Sequence, residues 1–213
     1  MRGIATLSLF SSCILWGTSV AAITGPEIAE KVCTKLENLK TLTAHFDKSF
    51  HWKLANEVHK YKGKLYVQNP DKFRIETDKW LMCSDGRSVW TYSETNGQVL
   101  ISRAAGSEGE LTPQAFLFRY VRDYSAEYLK QEKLGRRTCY LLQLTPKEEN
   151  SFVTQMKVWI DKNDGLTRKA SYTDINGNIT TYELSGIQVG KPIDDALFRF
   201  DPPEGVEVID LRE

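Results

Sequence analysis

Four turn signals, Asp85-Gly86, Asn96-Gly97, Asp164-Gly165 and Asn176-Gly177, punctuate this chain. Such pairs tolerate the positive φ values that tight hairpin loops require, and the twist of those loops matches that of the flanking strands. Between the signals the apolar residues recur at every second position. Leu65 and Val67 alternate with Lys64, Tyr66 and Gln68, Phe73 and Ile75 with Arg74 and Glu76, and Phe152, Met156, Val158 and Ile160 with Val153, Gln155, Lys157 and Trp159. A period of two broken about every 8 to 12 positions by turn residues predicts an antiparallel meander. One face of such a sheet is apolar and the other wet.

Two stretches break this rhythm. From Pro26 to Lys40, Ile28, Val32, Leu36 and Leu39 recur at spacings of three and four, the period of an amphipathic helix. After the small, polar loop Ala104 to Glu110, Thr112-Pro113 reads as an N-cap with Pro at the first helical position, opening a second helix with Phe116, Leu117, Tyr120 and Val121. In the tail LFRFDPPEGVEVID, Phe198 and Phe200 are expected on one strand face before Pro202-Pro203 stops it. A single domain of 213 residues with about ten or eleven strands has a sheet wide enough to curl. The predicted class is therefore α+β, mainly β: an incomplete, half-open antiparallel β-barrel with helices covering its concave face.

If Asp85-Gly86 and Asn96-Gly97 are central loop pairs, Leu81 opposes Trp90, Cys83 opposes Ser88, Tyr92 opposes Ile101 and Glu94 opposes Val99. One face then carries Leu81, Cys83, Trp90, Tyr92, Val99 and Ile101, and the reverse carries Trp80, Met82, Val89, Thr91, Leu100 and Ser102. The first is the more continuously apolar and is expected to face inward. Large aromatics such as Trp52, Trp80, Trp90 and Trp159 fit an ordinary core with edge aromatics as well as an internal ligand pocket, so the residues alone leave both readings open.

The first 22 residues, with Arg2 ahead of an apolar run ending Val20-Ala21-Ala22, read as a secretory signal, leaving residues 23–213 as the domain. A transmembrane anchor, which Ser8, Ser11, Ser12, Gly17, Thr18 and Ser19 argue against, and acylation at Cys13 are the competing readings of this segment. Cys33, Cys83 and Cys139 remain, and sequence does not choose among their pairings. Equal numbers of Lys plus Arg and Asp plus Glu, 28 each, leave no basic excess for a phosphate backbone, so nucleic acid is not an expected partner. His45, His51 and His59 lack a third-ligand spacing, and Asp161 to Gly165 lacks a calcium loop's terminal Glu, so neither metal nor cofactor is expected. No GxSxG elbow, Walker loop or dinucleotide fingerprint occurs, so no enzyme is expected.

Ordered along the chain are a leading helix running into LTAHF, then GKLYVQNPDKFRIE, MCSDGRSVWTY, TPQAFLF, LQLTPK and FRFDPPEGVEVID. In these segments the chain resembles the periplasmic outer-membrane lipoprotein carrier (LolA) family. The resemblance implies a half-barrel carrier without covalent chemistry. It would accept acylated lipoproteins from an inner-membrane ABC lipoprotein-release complex, shield their acyl chains across the periplasm of a Gram-negative-type envelope, and yield them to an outer-membrane lipoprotein receptor, acting as a monomer. Family layout and the expected hairpin register together imply an acyl cavity and lid built from Leu36, Phe73, Ile75, Leu81, Trp90, Tyr92, Ile101, Phe116, Leu117 and Phe118.

One position departs from the family pattern. Where family members place an arginine tied to lid closure, this chain has Asn69 before Pro70. An amide lacks the guanidinium's five donors, so lid control is expected to differ, through fewer bonds from Asn69 or through nearby Arg74. Two further roles stay open on the same fold: a lipid-anchored outer-membrane receptor and a periplasmic lipid or lipoprotein sensor.

Overall fold

The computed structural model describes residues 23–104 and 123–212. Helix α1 spans Gly25–Asn38. Its start is a reciprocal cap: the Glu27 N–H donates to the Thr24 hydroxyl, and the Thr24 N–H donates to the Glu27 carboxylate at 2.8 Å. Two otherwise orphaned helix donors are thereby satisfied. The helix buries Ile28, Ala29, Val32 and Leu36 as one stripe. Gly25 permits close approach to the sheet, because a Cβ there would collide with the backbone of Ala126 and Tyr128.

Strands β1 (Thr41–Trp52), β2 (Glu57–Gln68), β3 (Lys72–Glu76), β4 (Trp80–Asp85), β5 (Ser88–Ser93) and β6 (Gln98–Arg103) form the first run. Strands β7 (Tyr124–Leu134), β8 (Arg137–Pro146), β9 (Val153–Asp161), β10 (Thr167–Asp174), β11 (Ile179–Val189) and β12 (Glu207–Asp210) form the second. All twelve make one sheet in the order β12-β6-β5-β4-β3-β2-β1-β11-β10-β9-β8-β7. Because β12 and β7 lie at opposite margins and do not pair, the barrel is incomplete.

The strand beyond the expected ten or eleven is β12, which runs parallel to β6 whereas its neighbours pair antiparallel. The tail also differs from the expected strand carrying Phe198 and Phe200. Asp195–Phe198 is a 3-10 turn capped by the Asp194 side chain, and no regular structure intervenes before β12. Pro202 and Pro203 have no N–H to give a ladder, so pairing starts only beyond them.

Side-chain parity identifies the two faces. Leu65 pairs with Ile75, Ile75 with Met82 and Met82 with Thr91, and these residues share a face with Phe46, Tyr182, Ala170 and Val158 on the other wing. Helix α1 packs on that face, its stripe forming one core with Leu42, Leu65, Val67, Leu142, Met156 and Val158. This is the concave side.

In the central hairpins, Leu81 pairs with Tyr92, Cys83 with Trp90, Trp90 with Ile101 and Tyr92 with Val99. Each ladder is offset by two positions from expectation, because each turn centre moves by one residue. At the second turn Gly97 donates back to the Glu94 carbonyl at 3.1 Å, centring the turn on Thr95 and Asn96. A shift of two keeps parity, so the residues that share each face are unchanged.

The inward assignment is reversed, however. Leu81, Cys83, Trp90, Tyr92, Val99 and Ile101 face away from α1 and lie on the side crossed by the C-terminal arm. There the Tyr92 and Phe200 rings stand 5.2 Å apart, Arg74 Nη1 donates to the Leu197 carbonyl at 3.3 Å, and the 3-10 turn packs on β3 and β4. Both faces of this part of the sheet are covered, so apolar continuity does not tell the inside from the outside.

Candidate functional site

Helix α1 fills one end of the concave face, and a groove of about 1060 Å³ occupies the other. Its walls come from inward positions of five strands: Phe46 and Phe50 of β1, Leu65 of β2, Ile75 of β3, Trp80 of β4, and Tyr182 and Leu184 of β11. The floor depends on Gly63, where any Cβ would meet the Phe46 ring and the Glu76 carbonyl. The Phe46 ring lies edge-on to Tyr182, centroids 6.0 Å apart. Burial pushes the Tyr182 phenol well above its ordinary pKa, so it stays neutral. Lys48, Lys60, Lys62, Lys79 and Asp78 supply the charge along the lining. A mostly hydrocarbon and aromatic wall of this size holds apolar chains without directional demands.

The expected site residues scatter relative to this groove. Ile75 lines it. Phe73 lies next to it on the same face, buried with Met82 and Val89 in a satellite cluster. Leu36, 1 % exposed, is core beneath α1. Leu81, Trp90, Tyr92 and Ile101 are on the opposite face, as their ladders require. Phe116, Leu117 and Phe118 lie outside the described residues. Arg74 is also on the far side, paired with Glu76 at 2.6 Å, so it does not reach the helix.

Asn69 makes the connection that Arg74 does not. Its Nδ2 donates to the carbonyls of Leu36 at 2.9 Å and Leu39 at 2.7 Å, with Glu37 at a longer 3.4 Å. The last carbonyls of a helix lack partners in the helix itself, and one amide beyond β2 thus holds the C-terminus of α1 down on the sheet. Asn69→Ala should cost about 1–2 kcal/mol. Amide exchange should accelerate over Thr34 to Leu39, and unchanged exchange there would deny Asn69 this role.

Phe46, Lys48, Phe50, Trp80, Tyr182 and Leu184 are not among the expected site residues. A signal for the first three is present: Leu42, Ala44, Phe46, Lys48 and Phe50 alternate along β1. Cys33, Cys83 and Cys139 are buried on α1, β4 and β8 and form no disulfide with one another. Burial pushes the Cys83 thiol up to about 12, leaving it protonated and unreactive.

The family model described as outer membrane lipoprotein carrier protein LolA matches residues 37–201. An outer-membrane lipoprotein carrier protein of Proteus mirabilis is 27% identical over 214 residues, covering 98% of this chain and 96% of its own. The protein of that name from Haemophilus influenzae is 27% identical over 207 residues, covering 96% of each. Among solved structures, an uncharacterized conserved protein from Thermus thermophilus superposes with a TM-score of 0.58 at 14% identity, over 86% of this chain and 97% of its own, a likeness of fold alone. With the family match spanning most of its length and an open, helix-covered half-barrel as its fold, the chain belongs to the outer-membrane lipoprotein carrier (LolA) family.

Proposed function

We propose that this protein is a lipoprotein carrier that shelters acyl chains in the concave groove. The observation that carries the reading is the groove itself: about 1060 Å³ lined by Phe46, Phe50, Leu65, Ile75, Trp80, Tyr182 and Leu184 in a member of a carrier family. At about 0.8 kcal/mol per methylene, three acyl chains of about fifteen methylenes each carry on the order of 35 kcal/mol of unfavourable hydration. A lipoprotein therefore does not cross an aqueous compartment alone. The carrier supplies apolar surface and no covalent chemistry.

In the full reading, a monomer moves through the periplasm, taking acylated lipoproteins from an inner-membrane ABC release complex and giving them to an outer-membrane receptor. The groove suits that cycle because its apolar wall makes few directional bonds, so it holds cargo without locking it in. The test is purification from the periplasm under native conditions, with mass spectrometry of what accompanies the protein, alongside release of lipoprotein from spheroplasts. Near-stoichiometric lipoprotein and active release are expected. Protein that comes clean and releases nothing would end the carrier reading.

A further inference from the structure

The groove holds a charge that its own walls do not answer. Lys48 takes an inward position of β1 between Phe46 and Phe50, where the alternation calls for an apolar side chain. Its ammonium stands over two rings, 5.8 Å from the centroid of Tyr61 on β2 and 5.5 Å from that of Tyr182 on β11. All three residues line the groove. Ring faces attract a cation but offer no oxygen to accept its three N–H bonds.

Nearby carboxylates are engaged elsewhere, Asp47 with Lys62 at 3.1 Å and Glu183 with Lys169 at 2.8 Å. Among the described residues no carboxylate pairs with Lys48. Burial also draws its pKa below the ordinary lysine range, the mark of a cation short of water. Of the other lysines along the lining, Lys62 is held by Asp47, while Lys60 and Lys79 are set against one lining carboxylate, Asp78, so together with Lys48 the local field favours an anion.

We propose that Lys48 is a headgroup contact, and that the groove takes amphiphiles in which one hydrocarbon chain ends in a carboxylate or phosphate. The chain lies along Phe46, Leu65, Ile75 and Trp80, and the anion's oxygens accept from Lys48 Nζ between the two tyrosine rings. This deepens the carrier reading and rests on it for the groove. It adds a ligand class that the acyl chains of a lipoprotein do not require, since esters and amides carry no charge.

The test measures displacement of a fluorescent acyl probe from lipid-stripped protein by three ligands of equal chain length: palmitate, hexadecyl phosphate and hexadecanol. The wild type should bind at least one of the anions about tenfold tighter than the alcohol. Lys48→Met should erase that preference, and Lys48→Arg should keep it. Preference for the phosphate alone assigns a phospholipid-type head, and preference for palmitate alone assigns the free acid; either supports the proposal. Equal binding of all three by the wild type, or a preference that survives in Lys48→Met, would overturn it while leaving the carrier reading standing. If none of the three displaces the probe, the carrier reading falls and this inference with it.

Discussion

Replacing Phe198 by alanine should lower stability by about 3–5 kcal/mol and leave acyl binding intact at temperatures where the variant is folded. The side chain is 0 % exposed, in the 3-10 turn that packs on β3 and β4 from the face opposite α1. Deleting it removes buried hydrocarbon and leaves a cavity that neighbouring strands fill only in part. Urea midpoints give the energy, and probe titration of the same samples gives the binding. Were a folded Phe198→Ala protein to lose its acyl probe, the groove would have to be sought under the C-terminal arm, among Trp90 and Tyr92.

The second large effect belongs to Asp161. Its carboxylate is 0 % exposed; Oδ2 accepts from Arg137 Nη1 at 2.5 Å and from Arg168 Nη2 at 3.2 Å, and Oδ1 accepts from the Asn163 N–H at 2.9 Å. Arg168 is also bound to Asp164, whose carbonyl receives Lys35 Nζ from α1, so the cluster ties the helix to the β9–β10 turn. Asp161→Ala leaves the buried Arg168 guanidinium with Asp164 as its one remaining carboxylate partner and should cost about 3–5 kcal/mol at neutral pH.

Acid should close the gap between wild type and Asp161→Ala. Burial works against the Asp161 charge, but the Asn163 N–H and the two arginines outweigh it, so the folded carboxyl titrates below its ordinary value. A depressed folded pKa means stabilisation that is complete above the unfolded value of about 3.9 and lost as pH falls through the folded one. Urea midpoints of the two proteins should therefore converge below about pH 4. A difference that stays constant as the pH falls well below that value would show that shape, not charge, is what the alanine removed.

The parts of the fold that sequence conveys are those set by local chemistry. Thr24 and Glu27 with Ile28, Val32 and Leu36 mark α1, and the Asp-Gly and Asn-Gly pairs mark hairpins whose sides parity then fixes. Parity survives the one-residue displacement of both central turns, since every pair moves by two. Which side faces inward is not local. It depends on the chain returning about a hundred residues later to lay Phe200 against Tyr92 and the turn that carries Phe198 over β3 and β4, and that contact between distant segments leaves no periodic trace.

The groove is legible in part. Ile75 follows from alternation, whereas Tyr182 and Leu184 join it through the pairing of β11 with β1, a long-range ladder. Lys48 breaks the apolar rhythm of β1 and thereby marks itself. Asn69, just beyond β2, ties down the end of α1 through a contact between distant segments. Its amide, with two hydrogens, serves the Leu36 and Leu39 carbonyls.

A shut barrel has a circumference dictated by its strand number and shear. Here β7 and β12 never meet, and no such circumference is imposed. The sheet can tighten or slacken its curl by small changes of twist spread over many ladders, none of which has to part. Guests of unlike girth can thus be gripped by one scaffold, which behaves as a spring clip and not as a bottle of set volume.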